Sequence, residues 1–195
     1  MTNVIKSGSS GDTAEVDTSN RLQTFATSQT NATSQALIGD SYNINTGTIN
    51  LTSANSSALL YLKNTDTVTW TVGRVFYNAE VSTGGSGGWL AEVAANPTAG
   101  TLISGGTAFL PYNFNFGSAK QLTSTCLKGA EGSTATGGTQ GAVSTIIPAS
   151  GTRVLIPFDS VVLEPGSSLA VIITPPTGNT SMDIQVGVNL YREAM

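Results

Sequence analysis

No histidine occurs anywhere in the 195 residues. Histidine is the commonest general base and the commonest transition-metal ligand, so the usual serine–histidine and cysteine–histidine catalytic constellations are excluded. Cys126 is the single cysteine. One thiol forms no intramolecular disulfide and builds no thiolate metal cage within a chain, and the residue reads as a small, partly buried apolar side chain. Charge is scarce as well: charged residues make up 10% of the chain, against roughly 25% in an average soluble domain.

The eight basic residues, Lys6, Arg21, Lys63, Arg74, Lys120, Lys128, Arg153 and Arg192, stand singly in a chain of net charge −4. Nucleic acids and anionic membranes are engaged by clusters of Lys and Arg, so neither is an expected partner. No stretch reaches the ~18 apolar residues of a membrane span. The first residues, Met1 to Ser7, contain no apolar core of signal-peptide length, and the expectation is synthesis in a cytoplasm.

There is no P-loop, dinucleotide fingerprint or zincin helix. The glycine-rich run 84–88 lacks the lysine and the helix that a phosphate cradle requires. The twelve acidic residues are dispersed over turns, the N-terminal segment and outward strand faces, so no catalytic carboxylate pair of the glycosidase kind is expected. The run Asp12-Thr13-Ala14-Glu15-Val16-Asp17 superficially resembles a calcium loop without its glycine and its terminal bidentate glutamate. The sequence therefore predicts a protein that is not an enzyme and holds no cofactor or metal.

Ser, Thr, Asn and Gly fill the place of the charged residues, and they favour turns over helix interiors. Hydrophobic residues still amount to 39% and gather in short β-branched runs, which argues for a folded core. Val68, Trp70 and Val72 alternate with Thr69 and Thr71, the period of a half-buried strand. Ala58 to Leu62 is apolar on both faces. Further runs at 142–147, 154–158, 161–163, 168–173 and 182–191 read as strands, and so do 36–38 and 101–103. Glu164-Pro165-Gly166-Ser167 and Pro175 to Asn179 read as tight turns. Strands about ten residues apart, joined by Gly/Pro turns, indicate an all-β protein: a jelly-roll-like antiparallel β-sandwich with an extended N-terminal arm.

Residues 1–30 form that arm, and 31–195 the sandwich domain with a long loop near 117–141. A weak helix can be drawn through Ser19 to Ala26. The isolated apolar residues Val4, Ile5, Val16, Leu22 and Phe25 are candidate anchors by which the arm packs along a neighbouring subunit or along its own sandwich. A second candidate site uses aromatics. Trp89 follows the glycine loop, and Tyr112, Phe114 and Phe116 alternate with asparagines on one side of an extended segment. These rings have the shape to stack on sugars. The plainer reading places them in the core, which a sandwich with 7% aromatic residues needs them to fill.

Two segments carry a resemblance. Ile49-Asn50-Leu51-Thr52-Ser53-Ala54-Asn55-Ser56-Ser57-Ala58-Leu59-Leu60-Tyr61-Leu62-Lys63-Asn64 resembles the leucine-threonine-serine, apolar strand, lysine-asparagine segment of bacteriophage virion structural proteins. Leu163-Glu164-Pro165-Gly166-Ser167-Ser168-Leu169-Ala170-Val171 resembles a turn and strand near the end of the same jelly-roll proteins. Capsid decoration (cement) proteins and head fibres are the nearest types. The resemblance implies a protein made in the host cytoplasm, often trimeric, that clamps the outer capsid surface through the major capsid protein or other virion proteins. A receptor- or glycan-binding module of a phage tail or fibre is the alternative. No functional residue carries over by position.

Overall fold

A computed structural model describes residues 4–6, 13–16, 22–23, 31–80, 82–146, 153–156 and 161–192. The chain divides into two units, Met1–Thr30 and Asn31–Met195. In the first, β1 (Val4–Lys6), β2 (Thr13–Val16) and β3 (Leu22–Gln23) pair antiparallel in sequence order. The register sets Ile5 opposite Ala14 and Val16 opposite Leu22. Where the sequence suggested a helix over 19–26, Leu22–Gln23 is strand instead, and the rest of that span lies outside the described residues. Paired β-branched and long side chains favour the extended state that the Thr-rich composition already preferred.

The second unit runs α1 (Asn31–Leu37), β4 (Ser41–Asn45), β5 (Ile49–Leu51), β6 (Ser57–Lys63), β7 (Trp70–Ala79) and β8 (Trp89–Ala95). It continues through α2 (Thr101–Gly105), β9 (Thr107–Ala108), β10 (Tyr112–Asn113), β11 (Thr125–Lys128), β12 (Thr139–Ile146), β13 (Arg153–Ile156), β14 (Val161–Leu163), β15 (Ser168–Thr174) and β16 (Met182–Arg192).

Eight positions in this run carry the topology. One sheet places β4, β16, β7 and the β13–β14 pair side by side, and the other places β6, β15, β8 and β12. Every pairing is antiparallel. Successive strands cross between the sheets except at the β8-to-β12 step, and this is the connectivity of a jelly roll. The inward faces of both sheets meet in one core. Tyr42, Ile44, Val72, Tyr77 and Val186 come from the first sheet, and Leu60, Leu62, Trp89, Val93 and Val171 from the second.

The connection from β8 to β12 is long and works on both sheets. Its β10 extends the first sheet beyond β4, while β11 and β9 extend the second beyond β6. Its α2 lies on the outer face of the second sheet, where Leu102 is buried with Ala58, Tyr61 and Ala170. The segment expected to be a long loop, 117–141, therefore contains β11 and the start of β12. Short strands interrupted by glycine escape a reading based on long alternating runs. Residues 36–38 and 101–103, expected as strands, sit at helices instead; Ala32, Gln35, Ala36 and Leu37 favour the short helix α1, and Leu102 anchors α2 by its burial.

Two bulges shift the side-chain phase. In β6, Leu60 opposes Val171 and Ala58 opposes Ile172, so Leu59 is the extra residue and both leucines enter the core. The bulge thus accounts for two successive leucines in the core, while α2 covers Ala58 and Tyr61 on the other face of the strand. In β7, Arg74 opposes Asn189 and Val72 opposes Leu190. The extra residue is Gly73, and it lets Val72 and Val75 both face inward while Arg74 stays exposed. The turns match expectation: Gly166 takes a φ of 86°, and the Ser167 amide donates to the Glu164 carbonyl at 2.9 Å.

Candidate interaction surface

Large apolar side chains are covered throughout most of the sandwich, which makes their exceptions informative. Among the described residues, Leu37, Ile38, Leu110, Tyr112, Phe114, Phe116 and Val162 are exposed. All but Val162 come from two segments that lie side by side. The Asn113 side-chain amide donates to the Gly39 carbonyl at 2.8 Å, Asn115 donates to the Leu37 carbonyl at 2.9 Å, and the Phe114 amide donates to the Ser41 carbonyl at 2.9 Å. A methyl group at Gly39 would collide with Ser118, so a glycine is what lets the two segments approach this closely.

The alternation of residues 112 to 116 now has a structural meaning. Tyr112 opposes Asn43 and Asn113 opposes Tyr42, so the asparagines turn toward the protein and the rings turn away. Each asparagine is engaged. The Asn113 amide also donates to the Lys120 carbonyl and its oxygen accepts from the Asn115 amide, while the Asn115 oxygen accepts from the Gly117 amide. The segment thus spends its polar side chains on its own shape and presents rings outward. Tyr112 is 71% and Phe116 91% exposed.

This corrects the core reading for Tyr112, Phe114 and Phe116. The opposite correction applies to Trp89. It is 1% exposed and packs edge-on against Tyr77 with ring centroids 5.6 Å apart, so it offers no stacking face to a sugar. Of the arm anchors, Val4, Ile5, Val16 and Leu22 lie in β1 to β3, and Phe25 lies outside the described residues.

Behind the patch, a groove of about 390 Å³ crosses the outer face of the first sheet. Phe114 and α1 residues Ala32 and Ala36 form its walls, and Ser41, Asn189 and Tyr191 its floor. Gly73 keeps it open: a Cβ there would stand 3.1 Å from Tyr191 Cε1. Arg74 stands at its rim through the neighbouring bulge. Sequence reasoning did not reach Leu37, Ile38, Leu110 or this groove. The available signal was Gly73-Arg74 interrupting a mostly apolar strand.

A second concavity, of about 370 Å³, contains both Asp40 and Asp66. Both carboxylates are occupied. Asp40 pairs with Lys120 at 3.0 Å and Arg192 at 3.8 Å. Asp66 accepts from Trp70 Nε1 at 2.8 Å, from Ser124 Oγ at 3.3 Å and from Thr123 Oγ1. Trp70 and Tyr42, edge-on at 5.6 Å, are buried beside them. Burial, then the charges of Asp40 and Asp66, push the Tyr42 phenol above its ordinary value. These bonds tie the loop after β6 and the β11 approach to the end of β16, which is architectural work. Among the described residues no group of three or more His, Cys, Asp or Glu converges to hold a metal ion.

No family model matches the chain, and no curated protein does. Among solved structures it is similar to a chain of the Triatoma virus empty capsid, at 14% identity and a TM-score of 0.25, covering 78% of this chain and 84% of that one. It is also similar to VP2 of infectious bursal disease virus in a subviral particle, at 9% identity and a TM-score of 0.22, and there it spans 41% of that chain. A VP2 mutant of the same virus gives 10% identity and a TM-score of 0.22, with 40% of that chain spanned. The fold assignment rests on the strand pairing of this chain and not on these likenesses.

Proposed function

We propose that this chain is a non-catalytic structural subunit of a virus particle that associates with neighbouring virion proteins through its exposed aromatic patch. The observation that carries the reading is the concentration of Leu37, Ile38, Leu110, Tyr112, Phe114 and Phe116 on two adjoining segments. Apolar surface gathered in this way is costly in water and is recovered by association. Interface centres are enriched in aromatics and poor in charge, as this patch is. The jelly roll is a scaffold that serves many roles, so the role is argued from the surface and not from the fold.

Within that reading, the finer assignment is a phage capsid decoration protein on the outer shell, trimeric, that bridges copies of the major capsid protein. The sequence resemblance of 49–64 and 163–171 supports it. The N-terminal segment contributes through Val4, Ile5, Val16, Leu22 and Phe25, the first four of which stand on its three paired strands. A glycan-binding role is less well supported, since sugar hydroxyls require free polar side chains and Asn113 and Asn115 are already bonded.

Co-sedimentation with particles lacking the protein tests the proposal. Wild-type chain is expected to bind, and the Phe114→Ser/Phe116→Ser double variant to lose binding while keeping its thermal unfolding. A folded double variant that binds as well as wild type overturns the patch as the contact. Unchanged assembly after deletion of residues 1–30 overturns the arm's part in it.

A further inference from the structure

We propose that the groove beside the patch receives a peptide segment of the partner protein in which an apolar side chain stands next to a carboxylate, with the carboxylate pairing with Arg74. This rests on the reading of the same face as a protein-contact surface, and it specifies the chemistry of what docks there. The argument is charge complementarity. Arg74 is exposed, and its guanidinium makes no ion pair or hydrogen bond among the described residues. Among the described residues no acidic side chain lines the groove, although the chain as a whole carries a net charge of −4. Lys120 and Arg192 provide the contrast, since both reach Asp40.

The bulge at Gly73 is what holds this cation outward on a mostly buried strand, and bulges commonly re-aim a side chain next to a functional surface. The apolar half of the ligand is set by Ala32, Ala36 and the rings of Phe114 and Tyr191. A sugar fits less well, because the Asn189 side-chain oxygen already accepts from Asn43 at 2.7 Å and the groove is without a carboxylate among its described lining residues to bridge sugar hydroxyls.

The test uses the intact chain, with backbone amide shifts of Ala36, Gly73 and Asn189 followed by NMR. The probes are two blocked peptides that differ in one group, acetyl-Leu-Phe-Asp-amide and acetyl-Leu-Phe-Asn-amide. The aspartate peptide is expected to shift these amides and to bind about fivefold more tightly at low salt, the size of one part-exposed ion pair. Arg74→Gln, at an exposed position, is expected to abolish that preference, as is salt near 1 M, where the screening length falls to about 3 Å. Equal binding of both peptides, no shift at the groove amides, or saturation by maltotriose or decanoate in place of the peptide each overturns the proposal. The two readings fail separately. Peptide discrimination without particle binding removes the virion assignment and leaves the groove, and particle binding without discrimination does the reverse.

Discussion

Phe76 and Gly187 stand directly opposite each other on β7 and β16, and the Phe76 ring occupies the space a side chain at 187 would need. The ring is buried although it lies on the outer side of the sheet; the bare glycine gives it a seat. Gly187→Ala is therefore expected to destabilise the fold by about 1–3 kcal/mol through overpacking. Gly105→Ala, at a helical position with nothing nearby, is expected to be neutral or slightly stabilising. Urea unfolding of both variants measures the contrast, and equal midpoints would remove the argument.

A buried asparagine ties the loops at each end of the sandwich. Asn64 donates to the carbonyls of Val68 at 2.8 Å and Leu163 at 2.7 Å, and its oxygen accepts from the Asp66 amide. Asn179 donates to the carbonyls of Leu51 at 2.8 Å and Ser53 at 3.1 Å. Truncating either to alanine leaves inward-facing carbonyls without donors, at a cost of about 1–3 kcal/mol. Thermal unfolding of Asn64→Ala and Asn179→Ala is expected to show both losses, and to show them as additive because the two sites share no partner.

Glu131 latches the loop after β5. Its carboxylate accepts from the amides of Thr52 at 2.8 Å and Ser53 at 2.7 Å and from the Thr52 hydroxyl at 2.7 Å. These donors, the Thr52 and Ser53 bonds foremost, hold its pKa below the usual carboxylate value. The folded pKa is lower than the unfolded one, so the latch contributes fully above the ordinary value of about 4.3 and fades as pH falls through the depressed one. Amide exchange at Thr52 and Ser53 is expected to be protected at pH 6 and to speed up, beyond the intrinsic trend, near pH 3. Glu131→Gln is expected to weaken that protection at both pH values. Protection unaltered by acid and by the substitution would count against the latch.

Cys126 is buried on β11, and burial pushes its thiol up to about 12. Thiolate is the reactive form, so the native chain is expected to resist a disulfide reagent at pH 8 and to react promptly once unfolded. Fast labelling of native protein would show that β11 opens.

Core and surface aromatics separate cleanly by mutation. Trp89→Ala is expected to cost about 3–5 kcal/mol, and Phe116→Ser to change stability by no more than about 0.5 kcal/mol. Circular dichroism melts of the pair test the placement of both rings.

The strand framework was legible in the sequence because most of its strands announce themselves by period. Val68, Trp70 and Val72 point where alternation says they should, and the Pro165-Gly166 turn falls as its residues dictate. The bulges at Leu59 and Gly73 were hidden, since one extra residue breaks the period without leaving a compositional mark. Trp89, Phe114 and Phe116 are equally apolar, and only the partners of Asn113 and Asn115 decide which rings go inside. Those partners, Gly39, Leu37 and Lys120, come from a helix turn about 75 residues away and from the far side of a turn, a tertiary relationship that no local pattern encodes.

The β8-to-β12 connection finishes the sheets on its side with β9 and β10, each two residues long, and Pro111 immediately before β10 has no N–H to offer. So short a rung gives an incoming strand almost nothing to zip onto, which is how natural sheets avoid runaway lateral growth. On that flank the described backbone leaves little for an added strand to pair with, so lateral extension of either sheet is disfavoured there.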